Sequence, residues 1–153
     1  EKFISGINCT IKLYCNSSDN GKPLFSGTVP ALLSIEVTAE ALASSLPLDT
    51  TQTDAKVATV NEKSNSNTGY KVNISSANAG ALVHESEASS FINYSLTYDG
   101  SAVDLTNGDE FVFNSASSVD ANKDIDISYT GVPHENLIEG DYTDTVTFTI
   151  SAN

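Results

Sequence analysis

Tryptophan and methionine are absent from this chain of 153 residues, and only seven lysines and arginines stand against twenty aspartates and glutamates. The resulting net charge of -13 argues against nucleic acid or an anionic membrane surface as a partner. No apolar run approaches the ~20 residues that a membrane-spanning helix needs. The first residues lack the basic head and apolar centre of a secretory signal. With no Met in the chain, Glu1 reads as a processing point, which fits export and ordinary trimming alike, or as an engineered boundary. Cysteine is scarce too. Cys9 and Cys15 allow at most one internal disulfide, which leaves the redox compartment open.

Chemistry-bearing motifs are also missing. There is no His-x-x-x-His or Cys-x-x-Cys spacing for zinc, no Gly-x-Ser-x-Gly elbow and no phosphate-cradling glycine loop. We therefore expect no catalytic site, no metal and no cofactor. His84 and His134 stand far apart and read as loop or surface residues. The run Asp120–Asp126 begins like a calcium loop, but it lacks the turn glycine at the sixth position. Gly131 occupies the twelfth, where a bidentate Glu is required. Glu135, Glu139, Asp141 and Asp144 read as a solvated acidic edge. Sequons at Asn8, Asn16, Asn73 and Asn93 are what chance gives in a chain so rich in Asn, Ser and Thr.

The chain does have a period of two. Val29, Ala31, Leu33, Ile35 and Val37 alternate with more polar neighbours, with Leu32 interrupting. Tyr70, Val72 and Ile74 alternate with Lys71 and Asn73. Ile92, Tyr94, Leu96 and Tyr98 follow the same rule, as do Phe111 and Phe113, then Ile125, Ile127 and Tyr129. Tyr142, Asp144, Val146, Phe148 and Ile150 alternate with a row of threonines. Successive side chains of a strand face opposite ways, so each segment predicts a strand with one face on a core and one in water.

The punctuation between these segments agrees. Asp99-Gly100 predicts a tight hairpin, and Asn107-Gly108 and Asn20-Gly21 carry similar signals. Pro23, Pro47 and Pro133 fall in connections. Asn61–Gly69 reads as a polar loop. Only Ala39–Leu46 offers a short helix. Hydrophobic residues make up 39% of the chain, enough for a core. The pattern predicts one all-β domain, a sandwich or a barrel.

The N-terminal segment stands apart. Ile7, Cys9, Ile11 and Leu13 alternate, Cys15 continues their face, and a polar, turn-prone stretch follows. In a continuous strand the Cα atoms of Cys9 and Cys15 lie roughly 20 Å apart at ~3.3 Å per residue. A disulfide needs them within about 7 Å. The segment is either a strand with two unpaired cysteines or a small bridged loop.

The closing segment Gly140-Asp141-Tyr142-Thr143-Asp144-Thr145-Val146-Thr147-Phe148-Thr149-Ile150 resembles the last strand of bacterial chaperone–usher pilin subunits and of the related spore coat protein U-type domains. Tyr94–Val103, Asp124–Tyr129 and Gly27–Val37 are similar to the same group. The resemblance implies an immunoglobulin-like β-sandwich that lacks its seventh strand and is completed by a strand donated from a neighbour. In these terms residues 1–15 hold the donor strand, 16–25 a linker and 26–153 the sandwich. The donor face is Ile7, Cys9, Ile11 and Leu13. Val29, Leu33, Ile35, Val146, Phe148 and Ile150 line the acceptor groove or the core beneath it. Neighbouring subunits, a periplasmic chaperone and an outer-membrane usher are the implied partners, and a bacterial surface fibre reached through the periplasm the implied location. A host receptor or glycan is a further partner in the adhesive role. Both cysteines precede the sandwich, whereas many members carry a disulfide within it.

Overall fold

The computed structural model describes residues 12–14 and 24–153. They divide into two units, Glu1–Ala31 and Leu32–Asn153.

In the first unit β1 (Lys12–Tyr14) pairs antiparallel with β2 (Leu24–Ser26), with Leu13 opposite Phe25. Of the expected donor face only Leu13 is described; Ile7, Cys9 and Ile11 lie outside the described residues, as do Cys15 and the Asn20-Gly21 turn. Leu24 and Phe25, expected in a linker, belong to β2.

The second unit contains β3 (Leu33–Ala39), β4 (Gln52–Ser64), β5 (Tyr70–Ser76), β6 (Ala81–His84), β7 (Phe91–Tyr98), β8 (Ser101–Ala102), β9 (Asp109–Phe113), β10 (Val119–Tyr129), β11 (Tyr142–Thr143) and β12 (Val146–Ala152). Short 3-10 turns cover Ala41–Ser44 and His134–Asn136. The larger sheet runs β11-β6-β7-β10-β4-β3, with β8 also on β7, and the smaller runs β12-β5-β9; every pairing is antiparallel.

The two sheets share one core. Val60, Ile92, Leu96, Tyr98, Ile125 and Ile127 of the larger sheet pack with Tyr70, Val72 and Ile74 of the smaller. The unit is an all-β sandwich, as the period of two predicts. Tyr142 ties the chain ahead of β11 to this unit. Its hydroxyl accepts from the Ile138 N–H at 3.0 Å and donates to the Ile138 carbonyl at 3.0 Å.

The Asp99-Gly100 hairpin forms as expected. Both residues have positive φ, 50° and 78°, and Tyr98 pairs with Ser101 across the turn. Four expectations change. First, Val29 is 81% exposed and precedes β3, which begins only at Leu33. Pro30 has no N–H to give a ladder, so the apparent alternation does not continue upstream. Second, Asn61–Ser64 is not loop but the end of β4. Its polar residues have partners there: Asn61 donates to Asp120 and Asn122, Lys63 pairs with Asp120, and Ser64 accepts from the Ser66 N–H. Third, the segment from Tyr142 to Ile150 is two strands. β11 pairs with β6 in one sheet and β12 with β5 in the other. Fourth, His84 is only 5% exposed. Its Nδ1 accepts from the Ser86 and Glu87 N–H groups and its Nε2 contacts the Glu139 carbonyl at 3.0 Å. The ring thus uses both nitrogens to tie β6 to neighbouring loops. His134, by contrast, is exposed and pairs with Asp49 at 3.2 Å.

Candidate functional site: an open apolar cleft

β3 ends the larger sheet and β12 ends the smaller one. Among the described residues, no strand pairs with β12 on the side away from β5, or with β3 on the side away from β4. Each strand therefore presents a row of main-chain N–H and C=O groups with no ladder partner.

Between these edges opens a cleft of about 210 Å³. Val37 and Ala39 of β3 line one wall, Val146 and Phe148 of β12 the other, and Leu82, Leu96, Ile125 and Ile127 the floor. The sequence dictates both walls. Leu33, Ile35, Val37 and Ala39 fall on one face of β3 because they are two apart, as are Val146, Phe148 and Ile150 on β12. On β12 this face meets the core: Phe148 stands opposite Ile74 and Ile150 opposite Val72, both buried. The β3 face is covered less well. Leu33 is 37% and Val37 46% exposed, although the residues opposite them on β4, Ser64 and Val60, are buried.

Five of the residues expected at a groove therefore lie on the two strands that flank the cleft. Val146 and Phe148 line it directly, while Leu33, Ile35 and Ile150 continue the same rows. Val29 lies in the first unit instead. Sequence reasoning left out Val37, which belongs to the same alternation. It also left out Ala39, Leu82 and Leu96. Only the pairing order of the strands brings these to the cleft.

One bend in the larger sheet shapes the floor. In β4 the register with β10 shifts between Ile125, opposite Ala58, and Asp126, opposite Lys56. Val57 is the extra residue, and it and Ala58 are both buried. Such a bulge turns two successive side chains inward, which a strict alternation forbids.

A carboxylate fixes one end of the cleft. Asp144 stands where the chain leaves β11 for β12, and it also lines the cleft. It accepts from the Tyr94 hydroxyl at 2.5 Å, the Ser76 hydroxyl at 2.6 Å, the Asn78 N–H at 3.0 Å and the Thr145 N–H at 2.7 Å. Four donors on one carboxylate hold the crossing point of the two sheets. Burial and the bond to Asp144 both push the Tyr94 phenol well above its ordinary range, so it stays a donor.

A second carboxylate lies beneath β3. Glu62, opposite Ile35 in register, is fully buried. Tyr70 of the smaller sheet donates to it at 2.8 Å, and Tyr98 of the larger sheet donates to its other oxygen. Burial raises the Glu62 carboxyl above its usual range, while the Tyr70 bond and the nearby Lys123 charge lower it in part. Lys123 in turn meets Asp99 at 2.5 Å and lies 5.9 Å from the centre of the Phe113 ring. The cluster joins both sheets through one side chain.

Larger hollows of about 540 and 460 Å³ lie among the loops around Ala43–Asp49 and Ile138–Asp144. The run Asp120–Asp126 forms no loop. It lies on β10, where Asp120 meets Asn61 and Lys63 and Asp124 meets Lys56 at 2.7 Å. No protein-family model matches the chain, and no curated protein matches it.

What the cleft can do follows from its chemistry. Two free edges offer main-chain hydrogen bonds, and an apolar floor offers burial to alternate side chains. An extended peptide uses both at once.

Proposed function

We propose that the protein is a structural subunit of a bacterial surface fibre that polymerises by strand exchange and contributes to adhesion, with no catalytic activity. One observation carries this reading: the sandwich is open along β3 and β12, with an apolar cleft between two unpaired edges. The occupant is the segment Ile7–Leu13 of a second copy. Ile7, Cys9, Ile11 and Leu13 are spaced two apart, the spacing by which an added strand sends every other side chain to the floor. At ~25 cal/mol per Å² of apolar surface, burying three or four such side chains supplies several kcal/mol. The contact runs head to tail and does not close, so it propagates as a filament.

The resemblance of residues 140–150 to pilin closing strands adds a periplasmic chaperone that holds the cleft beforehand, an outer-membrane usher and export through the periplasm. The second reading is a non-polymerising adhesin domain that binds a carbohydrate or receptor. A glycan array tests it. The observation in its favour is the pair of loop hollows, which are roomy enough for a small ligand.

The test is the size of the full chain on a denaturing gel, unheated and boiled, beside Val37→Asp and a chain lacking residues 1–25. Val37 is 46% exposed, so the charge is tolerated in the monomer but not beneath an inserted strand. A ladder that collapses on boiling and is lost in both variants supports strand exchange. A monomer at every concentration refutes it.

A further inference from the structure

The described part of the donor segment is already paired. In β1, Lys12 stands opposite Ser26, Leu13 opposite Phe25 and Tyr14 opposite Leu24. An added strand bonds through the same main-chain groups that β1 shares with β2, so one edge of β1 cannot serve both partners at once. We propose that β2 is a latch: it occupies the donor strand within its own chain until the cleft of a second copy takes its place. The inference rests on the strand-exchange reading above.

The pairing is of the right strength for such a role. Three residue pairs in an isolated two-stranded hairpin are marginally stable in water. In β2, Phe25 is 66% exposed, so its side chain adds little burial to the pairing. The cleft offers unpaired edges on both sides and an apolar floor, so it outcompetes β2 once a second copy is near. The latch therefore slows exchange without preventing it, and it shields the β1 edge, which would otherwise pair indiscriminately.

The test uses the full chain with Phe25→Pro and, separately, Ser26→Pro. Neither substitution changes the sequence of Ile7–Leu13 or a residue that lines the cleft. Successive N–H groups of a strand point to opposite edges, so at least one of the two removes a bond to β1. Amide exchange at residues 12–14 is followed in the monomer, and the rate of ladder formation at one fixed concentration. A latch predicts that the variant which loses protection at residues 12–14 assembles about fivefold faster, the factor equivalent to a cross-strand pair of ~1 kcal/mol. A variant that assembles while the parent chain does not supports the latch in its strongest form. Parent and variants that assemble at one rate overturn the latch and leave strand exchange standing. No assembly by any of them overturns both. Unprotected amides at residues 12–14 of the parent monomer overturn the latch alone.

Discussion

Replacing Tyr98 by Phe deletes one hydroxyl from the centre of the sandwich and nothing else. The acceptor it leaves, Glu62, is fully buried and has Tyr70 as its remaining hydroxyl donor. A hydrogen bond to a charged group contributes about 1.5–3 kcal/mol, so Tyr98→Phe should destabilise the chain by about 2 kcal/mol. Tyr70→Phe should cost a similar amount. The two losses should not add, because both bonds end on one carboxylate. The triple variant Glu62→Leu, Tyr70→Phe, Tyr98→Phe removes the charge together with both donors. It should be nearly as stable as the parent, since an apolar trio leaves nothing unsatisfied.

The cluster also fixes a pH dependence. Glu62 has its carboxyl pKa raised in the folded chain, chiefly by burial. The folded state therefore binds a proton more tightly than the unfolded chain. The stabilising effect is full below the unfolded value of ~4.3 and is lost as pH rises through the folded value. Glu62→Gln does not titrate, so the parent should gain stability relative to this variant on acidification from neutral pH toward pH ~4. Urea unfolding followed by far-UV circular dichroism measures each variant. A Tyr98→Phe loss below about 0.5 kcal/mol, or a triple variant less stable than the singles, refutes the reasoning. So does a difference between parent and Glu62→Gln that does not grow on acidification.

Two further outcomes follow from the corner before β12. Gly140 has φ of 148°, and a Cβ there would meet the His84 ring. Gly140→Ala should lower stability by about 1–3 kcal/mol and appear as a reduced Tm. Tyr142→Phe removes the hydroxyl that bonds the Ile138 backbone and Ser90, at 2.7 Å for the latter, and should cost about 1–2 kcal/mol in the same urea assay.

The strands that were legible in the sequence are those whose outward residues are polar and whose inward residues are apolar. Residues 92–98 of β7 and 125–129 of β10 are of this kind, and their inward residues Ile92, Leu96, Tyr98, Ile125, Ile127 and Tyr129 are all buried. β4 does not read as a strand at all in the sequence, and its second half reads as loop because Glu62 and Ser64 take inward positions that polarity alone assigns to water. Only the tyrosines of two other strands make Glu62 tolerable there, and those contacts are non-local. The bulge at Val57 broke the period as well. Tyr142–Ile150 failed differently. Its alternation is continuous, yet the chain changes sheets at Asp144, because four donors from different segments converge on that carboxylate. Val29 fits a strand pattern by spacing, but Pro30 beside it does not. The two walls of the cleft were legible as strands, while their proximity was implied only by the resemblance, since no local signal says that β3 and β12 become neighbours.

Those walls are the first and last strands of the second unit. A chain cut before β12 cannot form the cleft, because that strand is one of its walls and the last of the unit to be synthesised. The floor, built from β4, β6, β7 and β10, takes shape while its second wall is still missing. During that interval Val37, Leu96 and Ile127 face water with less cover than they have in the finished fold. The segment from Asp144 to Ile150 therefore decides how long the nascent domain remains prone to aggregation, and slowing its docking should reduce soluble yield before it changes the stability of what folds.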